Sequence, residues 1–358
     1  MSLLSSLRSR IRADGPMPFE KFMAACLYDA DHGFFATGPL RSVKAGDFLT
    51  SPEVSPAFGR TIARFVEQER QRIGSEGFTI VELGAGSGSL LRALLAVLGR
   101  RPERVVAVET SPAARDALRT LDGVAVLEGI DGLPDRMRGV VVANELLDNL
   151  PVRLAVRTGD GWEERYIGLE GSGLGWVAAA ARPDTVAWAD AFCGAVDEGG
   201  LVEVQLAAGE YVSAVVRRLD VGSFVAFDYG GTAEELEPRR TRGTLRTYRA
   251  HHLGPDPLLE PGATDVTVDV NFTAMVAAAR AAGAEVELHR QDDFLVSLGL
   301  RDEISALRGR ELELAKDRSA TLERLQVRSE RTDAETLLHP RGLGDFRVMV
   351  ARVAGPGT

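Results

Sequence analysis

Short apolar runs and helical segments alternate along the chain between residues 78 and 144. Four runs rich in Val, Ile and Leu predict strands: residues 78–83, 104–109, 124–127 and 140–143. Segments of helical length lie between the first three, at residues 89–98 and 112–121. Strands that alternate with helices form parallel βαβ units, and both faces of the resulting sheet are covered. This pattern predicts an α/β domain with a mostly parallel sheet.

The pattern changes on both sides of this stretch. Helical spacing surrounds a Gly- and Pro-rich loop at residues 29–56, and an ordered loop of this length predicts a lid. Residues 152–157 and 162–169 alternate around the turn Gly159-Asp160-Gly161, which predicts an antiparallel hairpin, and residues 174–177 could add a third strand. We expect a strand at residues 201–206 to resume the core. We expect the chain to divide into four segments. They are residues 1–75, an N-terminal helical segment with the lid loop; 76–150, the first half of the core; 151–200, an inserted β-lobe and a helix; and 201–358, the second half of the core with a long loop at 229–270.

Charge and composition limit the class of partner. The chain carries 42 Lys and Arg against 52 Asp and Glu, a formal net charge of −10, so its surface should repel nucleic acid and attract basic partners. No apolar run approaches the roughly 20 residues of a membrane helix. Cys26 and Cys193 lack ligand spacing and His251-His252 has no third ligand nearby in the sequence, so we expect reduced thiols and no metal. These observations predict a cytoplasmic protein that binds neither nucleic acid nor membrane.

A short basic run, Arg239, Arg240 and Arg242, stands out in this acidic chain. It allows an anion or partner contact, and it also fits a solvated loop. The sequence has no GxSxG elbow and no HExxH helix, which argues against two large hydrolase classes.

The most informative segment is a Gly-rich turn, Glu82-Leu83-Gly84-Ala85-Gly86-Ser87-Gly88, between the first predicted strand and helix. Gly84, Gly86 and Gly88 allow a tight turn and the close approach of a ligand to the backbone. A dinucleotide fingerprint would place its last glycine where this chain has Ser89, so NAD is disfavoured. S-adenosylmethionine (SAM) has no pyrophosphate for a helix N-terminus to hold, and its ammonium group gives the Glu82 carboxylate a cationic target. The turn therefore favours a SAM site.

Two further acids are candidates for contacts with a nucleoside. Glu109 ends the second predicted strand, 25 residues after Gly84, where a carboxylate can accept both ribose hydroxyls. SAM and NAD sites share this feature, so it favours SAM only together with the glycine spacing. Asp131 follows the third predicted strand and could meet the adenine amine, or it could be an ordinary loop acid.

A polar segment, Asn144-Glu145-Leu146-Leu147-Asp148-Asn149-Leu150-Pro151, follows the fourth predicted strand. The carboxyl ends of parallel strands face the ligand crevice, so Asn144 and Glu145 should point at the reacting centre. Methyl transfer is an in-line displacement from a sulfonium, to which a protein contributes alignment and electrostatics. Glu145 and Asp148 could grip an arginine guanidinium bidentately. Alternatively, Asp148 caps a helix and Asn144 bonds to the backbone.

Motifs spread along the chain resemble the MidA-like family of SAM-dependent methyltransferases, which is related to a mitochondrial assembly factor of respiratory complex I. The matching segments are residues 15–19 (GPMPF), 27–28 (LY), 32–35 (HGFF), 46–55 (GDFLTSPEVS), 144–151 (NELLDNLP), 228–231 (DYGG), 242–246 (RGTLR), 265–272 (DVTVDVNF) and 342–348 (GLGDFRV). The resemblance runs from about residue 15 to the end. We therefore expect a class I, Rossmann-like fold with a seven-stranded, mostly parallel sheet, an N-terminal helical segment and an inserted antiparallel β-lobe.

The resemblance also implies an activity and a lid. It implies methyl transfer from SAM to a nitrogen, most of all the guanidinium of an exposed arginine in a protein substrate. Asp47, Thr50, Ser51 and Glu53 would lie on a loop that closes over the cleft, and Glu53 would be a third carboxylate for the substrate. Two residues depart from the family pattern: Ser51 stands where Ala is common and Asn271 where Asp is usual, which weakens any role for a charge at that position.

Two alternatives stay open. One is an assembly chaperone that keeps SAM as a structural or regulatory ligand, without essential catalysis. The other is a methyltransferase for a small molecule or RNA, although the acidic net charge argues against RNA. The sequence also allows a homodimer.

Overall fold

The N-terminal helices pack on two different sheets. The computed structural model describes residues 2–37, 50–250 and 252–355. The first elements are α1 (Leu3–Asp14), β1 (Met17–Pro18), α2 (Phe19–Tyr28), α3 (Ser51–Val54) and α4 (Pro56–Ile73). Helices α1 and α2 bury Leu7 and Phe22 in a cluster with Leu154 of a small antiparallel sheet. Helix α4 instead buries Phe58 against the central sheet, in a cluster that contains Val225.

The first half of the central sheet follows the predicted alternation of strands and helices. Its elements are β2 (Phe78–Leu83), α5 (Ser89–Leu95), β3 (Arg104–Val108), α6 (Pro112–Leu118), β4 (Ala125–Leu127) and β5 (Met137–Asn144). The four strands are parallel, and β2 lies between β5 and β3. All six residues of β2 are buried, as expected for a strand whose sheet is covered on both faces. The carboxyl ends of β2, β3 and β5 therefore meet at one edge of the sheet.

The expected antiparallel lobe is present as a five-stranded sheet, which also includes a strand we expected in the core and β1 of the N-terminal segment. Its elements are β6 (Arg153–Thr158), β7 (Gly161–Glu170), β8 (Gly173–Ala180), α7 (Pro183–Phe192) and β9 (Leu201–Val204). The prediction that residues 201–206 resume the core is wrong, because β9 pairs antiparallel with β6 of the lobe. A short apolar run does not show which sheet a strand will join. In the structure, the buried Glu203 of β9 pairs with its counter-charge, Arg240, beside the lobe. Strand β1 joins the lobe as well, with Met17 opposite Ile167.

The rest of the chain completes the central sheet. Its elements are α8 (Leu206–Arg217), β10 (Leu219–Asp228), β11 (Gly230–Gly231), α9 (Ala233–Leu236), β12 (Arg246–Arg249), β13 (His252–Leu253), β14 (Asp265–Thr267), β15 (Val270–Asn271), α10 (Phe272–Ala281), β16 (Glu285–Arg290), α11 (Gln291–Ser297), α12 (Leu300–Leu314), α13 (Thr321–Thr336) and β17 (Arg347–Val353). The sheet order is β16-β17-β10-β5-β2-β3-β4, with β17 antiparallel to both neighbours. This arrangement confirms the predicted seven-stranded, mostly parallel sheet. Short ladders, β11 with β15 and β12 with β13 and β14, occupy the long loop expected at 229–270.

A buried ion pair fastens the start of this long loop region to the lobe. The Oε2 atom of Glu203 lies 3.3 Å from Nη1 of Arg240, and both side chains are almost inaccessible to solvent. The other carboxylate oxygen accepts the backbone N–H groups of Thr244 and Leu245. Residues 240–245 are therefore tied to β9 by one carboxylate.

Glu203→Gln is expected to lower the free energy of unfolding by roughly 3–5 kcal/mol, because the buried Arg240 guanidinium would lose its counter-charge. Urea unfolding followed by tryptophan fluorescence measures this loss. Glu163→Gln is the matched control, since Glu163 is exposed on β7 and a surface change of this kind usually alters stability by less than about 0.5 kcal/mol. Equal stabilities of the two variants would contradict a structural role for this pair.

Candidate functional site

The Gly-rich turn places three glycines in left-handed conformations at the start of α5. Their φ angles are 65° at Gly84, 50° at Gly86 and 76° at Gly88, values that side chains other than glycine rarely adopt. Gly88 packs against α6 and the turn after it, because a Cβ there would lie 2.9 Å from Leu121 and 3.0 Å from Leu118. Gly84 and Gly86 instead line a cavity of about 310 Å³, which we call the first cavity.

The first cavity lies at the carboxyl ends of β2, β3 and β5. The predicted residues that line it are Thr50, Glu53, Glu82, Gly84, Gly86, Glu109, Asn144 and Glu145. Sequence reasoning missed several other lining residues, among them Tyr28, Phe35, Ser111, Asn149 and Tyr211. These come from elements far apart in the chain, and the only sequence signal was that Tyr28, Phe35 and Asn149 lie in family motifs. Asp47, which we predicted for the lid, lies outside the described residues.

Glu109 is held at the wall of the first cavity by two backbone groups. Its Oε2 accepts the N–H of Gly86 at 2.8 Å, and its Oε1 accepts the N–H of Ser111 at 2.7 Å. An ionised carboxylate has about four acceptor sites, so each oxygen can still accept a second hydrogen bond. The two amides thus orient Glu109 and leave it able to accept hydroxyl donors of a ligand.

Asp131 does not reach the first cavity. Its side chain is fully exposed, and its Oδ1 lies 3.4 Å from Nη2 of Arg218. The neighbouring residues Glu128, Gly129 and Ile130 line the cavity in its place. The expected contact of Asp131 with adenine is therefore not supported: the short helix at residues 130–132 carries its carboxylate away from the cavity.

Two glutamates in the first cavity have buried oxygens without a partner. Oε2 of Glu82 and Oε2 of Glu53 are buried and accept no hydrogen bond from any described residue. Burial raises the pKa of Glu53 to about 7, and burial together with the charge of Glu53 raises the pKa of Glu82 well above its ordinary value. Desolvated carboxylates of this kind are stabilised when a positive charge comes close. The cavity is thus suited to a cationic ligand.

Glu145 has an unusual backbone conformation. Its φ of 50° is one of two positive values among the described residues other than glycine, and such strain is typical of functional sites. The Asp228 carboxylate at the end of β10 stabilises this turn by accepting the N–H groups of Leu146, Leu147 and Asp148. The Oε1 of Glu145 accepts the N–H of Ser51 at 3.3 Å and an amide hydrogen of Asn144 at 3.1 Å. Burial raises the pKa of Glu145 to about 8, with a further contribution from Asp148.

Ser51, one of the described residues of the predicted lid, lies behind the cavity wall. Its side chain is fully buried and accepts a hydrogen bond from the Gln291 amide at 3.3 Å. Glu53, on the same short helix α3, accepts a hydrogen bond from the Ser87 hydroxyl at 2.8 Å. The segment that begins at Thr50 is therefore fixed to the Gly-rich turn and to Glu145.

A second cavity of about 510 Å³ adjoins the first, and Glu145 and Asn149 line both. Asp148 lines only the second cavity. Its Oδ2 accepts hydrogen bonds from the Tyr229 hydroxyl and from the Thr267 hydroxyl, the latter at 2.6 Å. Its Oδ1 is buried and has no partner in the described part of the chain, and the same holds for Oδ1 of Asn144. Burial raises the pKa of Asp148. The wall between the cavities thus carries acceptor atoms without donors.

The comparisons with known proteins agree with this geometry. A family model described as "Putative S-adenosyl-L-methionine-dependent methyltransferase" matches residues 61–289. The chain belongs to this family. A crystal structure of a Burkholderia thailandensis protein bound to S-adenosyl-homocysteine is similar, with 29% identity, a TM-score of 0.84, and coverage of 98% of this chain and 92% of that one. The protein is thus a SAM-dependent methyltransferase, as predicted, with the Rossmann-like fold of its family.

Curated relatives are similar over most of their length. The protein named "Protein arginine methyltransferase NDUFAF7 homolog, mitochondrial" of Caenorhabditis elegans is 27% identical, over 87% of this chain and 79% of its own. The protein named "Protein arginine methyltransferase NDUFAF7, mitochondrial" of Homo sapiens is 26% identical, over 96% and 81%. Our expectation of a cytoplasmic protein is contradicted, because these relatives are named as mitochondrial. Among the described residues, no helix is long and apolar enough to cross a membrane, and no group of three His, Cys, Asp or Glu could hold a metal ion.

The residues around the first cavity fit the cofactor. The unpartnered oxygens of Glu82 and Glu53 provide acceptors for cationic groups, and Glu109 is oriented for hydroxyl donors. Gly84 and Gly86 leave space that a side chain would fill. We therefore expect Glu82, Glu109 and the backbone of the Gly-rich turn to hold SAM.

The affinity for SAM is expected to rise with pH more steeply than the affinity for S-adenosyl-homocysteine. Glu53 and Glu145, with pKa values raised to about 7 and about 8, are neutral below these values and ionised above them. Only SAM carries a sulfonium charge, so only its binding gains this attraction as the carboxylates ionise. We expect the ratio of the two affinities to rise about three- to tenfold between pH 6 and pH 8, measured by calorimetry. Parallel pH profiles for the two ligands would contradict the role of these carboxylates.

Proposed function

We propose that the protein transfers the methyl group of SAM to a guanidinium nitrogen of an arginine in a protein substrate. One observation supports this proposal above the others. The wall shared by the two cavities carries Glu145 and Asn149, and Asp148, which lines the second cavity, has a buried oxygen without a donor. A guanidinium is planar, permanently charged and rich in N–H donors, and it matches such acceptors better than a neutral or anionic acceptor group does.

The two cavities would bind different substrates, SAM in the first and the target arginine in the second. SAM, held in the first cavity, supplies an electrophilic methyl group. The target arginine would enter through the second cavity, beside the long loop at residues 229–270. Thr50 and Glu53 of the lid segment would close the first cavity beside the Gly-rich turn and exclude water. The acceptor nitrogen would then lie against Glu145, one of the two side chains that line both cavities.

The carboxylates have two tasks in this scheme. Asp148, fixed through Oδ2 by Tyr229 and Thr267, would accept N–H groups of the guanidinium through Oδ1 and orient its plane. The nitrogen that gains a methyl group must lose a proton. Glu145 is suited to take it, because its raised pKa of about 8 makes it a stronger base than an ordinary carboxylate. Glu53 remains a proposal as a third carboxylate, since it lines the first cavity only.

The curated relatives support the choice of arginine, because they are named protein arginine methyltransferases. A protein partner with an exposed arginine is accordingly part of the proposal, and a homodimer remains a prediction from the sequence.

Incubation with methyl-labelled SAM and a lysate from cells that lack the gene tests the proposal. We expect label in a protein band, and acid hydrolysis of that band should release labelled methylarginine. Label in a small-molecule or RNA fraction would overturn the choice of arginine. Binding of SAM without any label transfer would favour the assembly role that the sequence left open.

A further inference from the structure

The second cavity is acidic at one end and basic at the other. Glu145 and Asp148 line it beside the first cavity. Three arginines also line it: Arg239, Arg246 and Arg341. The first two lie near or on β12, and the third lies in the loop before β17. The basic run that stood out in the sequence therefore contributes Arg239 to this cavity, whereas its member Arg240 pairs with Glu203 of the lobe.

The charges of these arginines are only partly balanced. Arg239 and Arg246 both form an ion pair with the same buried carboxylate, Asp269. Arg341 forms no ion pair within residues 2–37, 50–250 and 252–355. Two other acids line this cavity: Asp345 is engaged by Arg290 and Arg347, and the buried Asp265 accepts a hydrogen bond from the Asn149 amide. Arg239 and Arg246 thus share the single carboxylate of Asp269, and Arg341 has no acidic partner in the described part of the chain.

The arginines are arranged to donate into the cavity. Asp269 holds Arg239 and Arg246 by one terminal nitrogen each, and their side chains are still 48% and 34% exposed. The guanidinium of Arg246 lies 5.4 Å from the centre of the Tyr229 ring, which fixes its plane. Its Nε is buried and has no partner among the described residues. Fixed guanidinium groups with unused donors are suited to bidentate recognition of a carboxylate.

We propose that this arginine cluster, Arg239, Arg246 and Arg341, binds a carboxylate of the acceptor protein. The enzyme would then select an arginine that has an acidic residue close to it in the sequence. The inference rests on the proposed function, since the acidic end of the cavity must hold the target arginine. Tyr229 contacts both ends, because its hydroxyl binds Asp148 and its ring lies beneath Arg246. The target arginine and the carboxylate of the acceptor would therefore lie one to a few residues apart in its sequence, where each residue spans ~3.5 Å.

Four peptides separate the two ends of the cavity. The parent peptide is acetyl-Gly-Glu-Gly-Arg-Gly-Glu-Gly-amide, and its variants carry citrulline for arginine, glutamine for both glutamates, or both changes. Citrulline keeps the shape of arginine but lacks its charge. Binding is measured by calorimetry to the full-length enzyme saturated with S-adenosyl-homocysteine. We expect the parent peptide to bind about tenfold more tightly than the glutamine variant. Each citrulline peptide should bind at least tenfold more weakly than the peptide that has arginine in its place.

Two enzyme variants connect the preference to the cluster. Arg341→Gln should reduce the preference for the glutamate peptide at least threefold, and the exposed position of Arg341 makes loss of folding improbable as a cause. Arg242→Gln is the matched control, because Arg242 is exposed on the same loop region as Arg239 but does not line the cavity. It should leave the preference unchanged.

The outcomes distinguish the inference from the proposed function. Equal binding of the glutamate and glutamine peptides, with loss on citrulline substitution, would overturn the anion site alone. A preference for glutamate together with equal binding of the arginine and citrulline peptides would keep the anion site and overturn the arginine acceptor. Absence of binding by all four peptides would overturn both.

Discussion

Replacing Gly86 by valine is expected to abolish SAM binding while the protein still folds. Gly86 lines the first cavity with a φ of 50° and donates its N–H to Glu109, so a branched side chain would occupy space needed by the cofactor. The left-handed conformation adds a strain of about 1–2 kcal/mol, which a protein of this size usually tolerates. Calorimetry should detect no SAM binding, and circular dichroism should show an unchanged fold.

Gly171→Val is the control for backbone strain. Gly171 has a φ of 55° in the exposed turn between β7 and β8, and no atom lies within 4 Å of the Cβ that would be added. This variant has the same strain without the obstruction, so its SAM affinity should equal that of the unchanged protein. Unaltered SAM affinity in Gly86→Val would mean that the cofactor site has been misplaced.

Asp148→Asn is expected to lower the rate of methyl transfer by about 10²–10³-fold while the affinity for SAM changes less than about threefold. Asp148 lines the second cavity and not the first. Asparagine has the same shape and can still accept the hydrogen bonds of Tyr229 and Thr267. What is lost is the charge that faces the acceptor. The rate is measured with labelled SAM and the acceptor found in the lysate experiment, and the affinity by calorimetry.

Asp131→Asn accompanies this variant as a control. Its carboxylate is exposed and lies outside both cavities, so the rate and the SAM affinity should be unchanged. A weaker affinity for SAM in Asp131→Asn would restore the adenine contact that the sequence suggested. A normal rate in Asp148→Asn would remove the acidic residue from the proposed mechanism.

The ends of the parallel strands were predictable from the sequence. Glu82, Glu109 and Glu145 each come at the end of a buried apolar run, and parallel pairing brings such ends together whatever the details of packing. Spacing alone could not separate Gly86, which lines the cavity, from Gly88, which packs against Leu118 and Leu121. That distinction depends on a helix that lies elsewhere in the sequence.

Contacts between distant segments explain the remaining differences. The sequence of β9 fits a strand in either sheet, and its place in the lobe depends on Arg240, some forty residues later in the chain. The arginine cluster depends on the loop at residue 341 meeting β12, which no local pattern reveals. Asp131 lies one to three residues from the loop positions that line the cavity, and a short 3₁₀ turn decides which of these residues face it.

The turn after β5 is held by a side chain that belongs to neither cavity. Asp228 lines no part of the two cavities, yet its carboxylate gathers three consecutive amides and keeps Glu145 in its strained backbone geometry. The orientation of Glu145 and Asp148, the acids proposed to hold the acceptor, is therefore set from the adjacent strand, β10, as well as from β5, the strand that leads into them. A shift of β10 relative to β5 would misalign the acceptor without blocking its entry. Position 228 should therefore vary among relatives as little as the residues that touch the ligands.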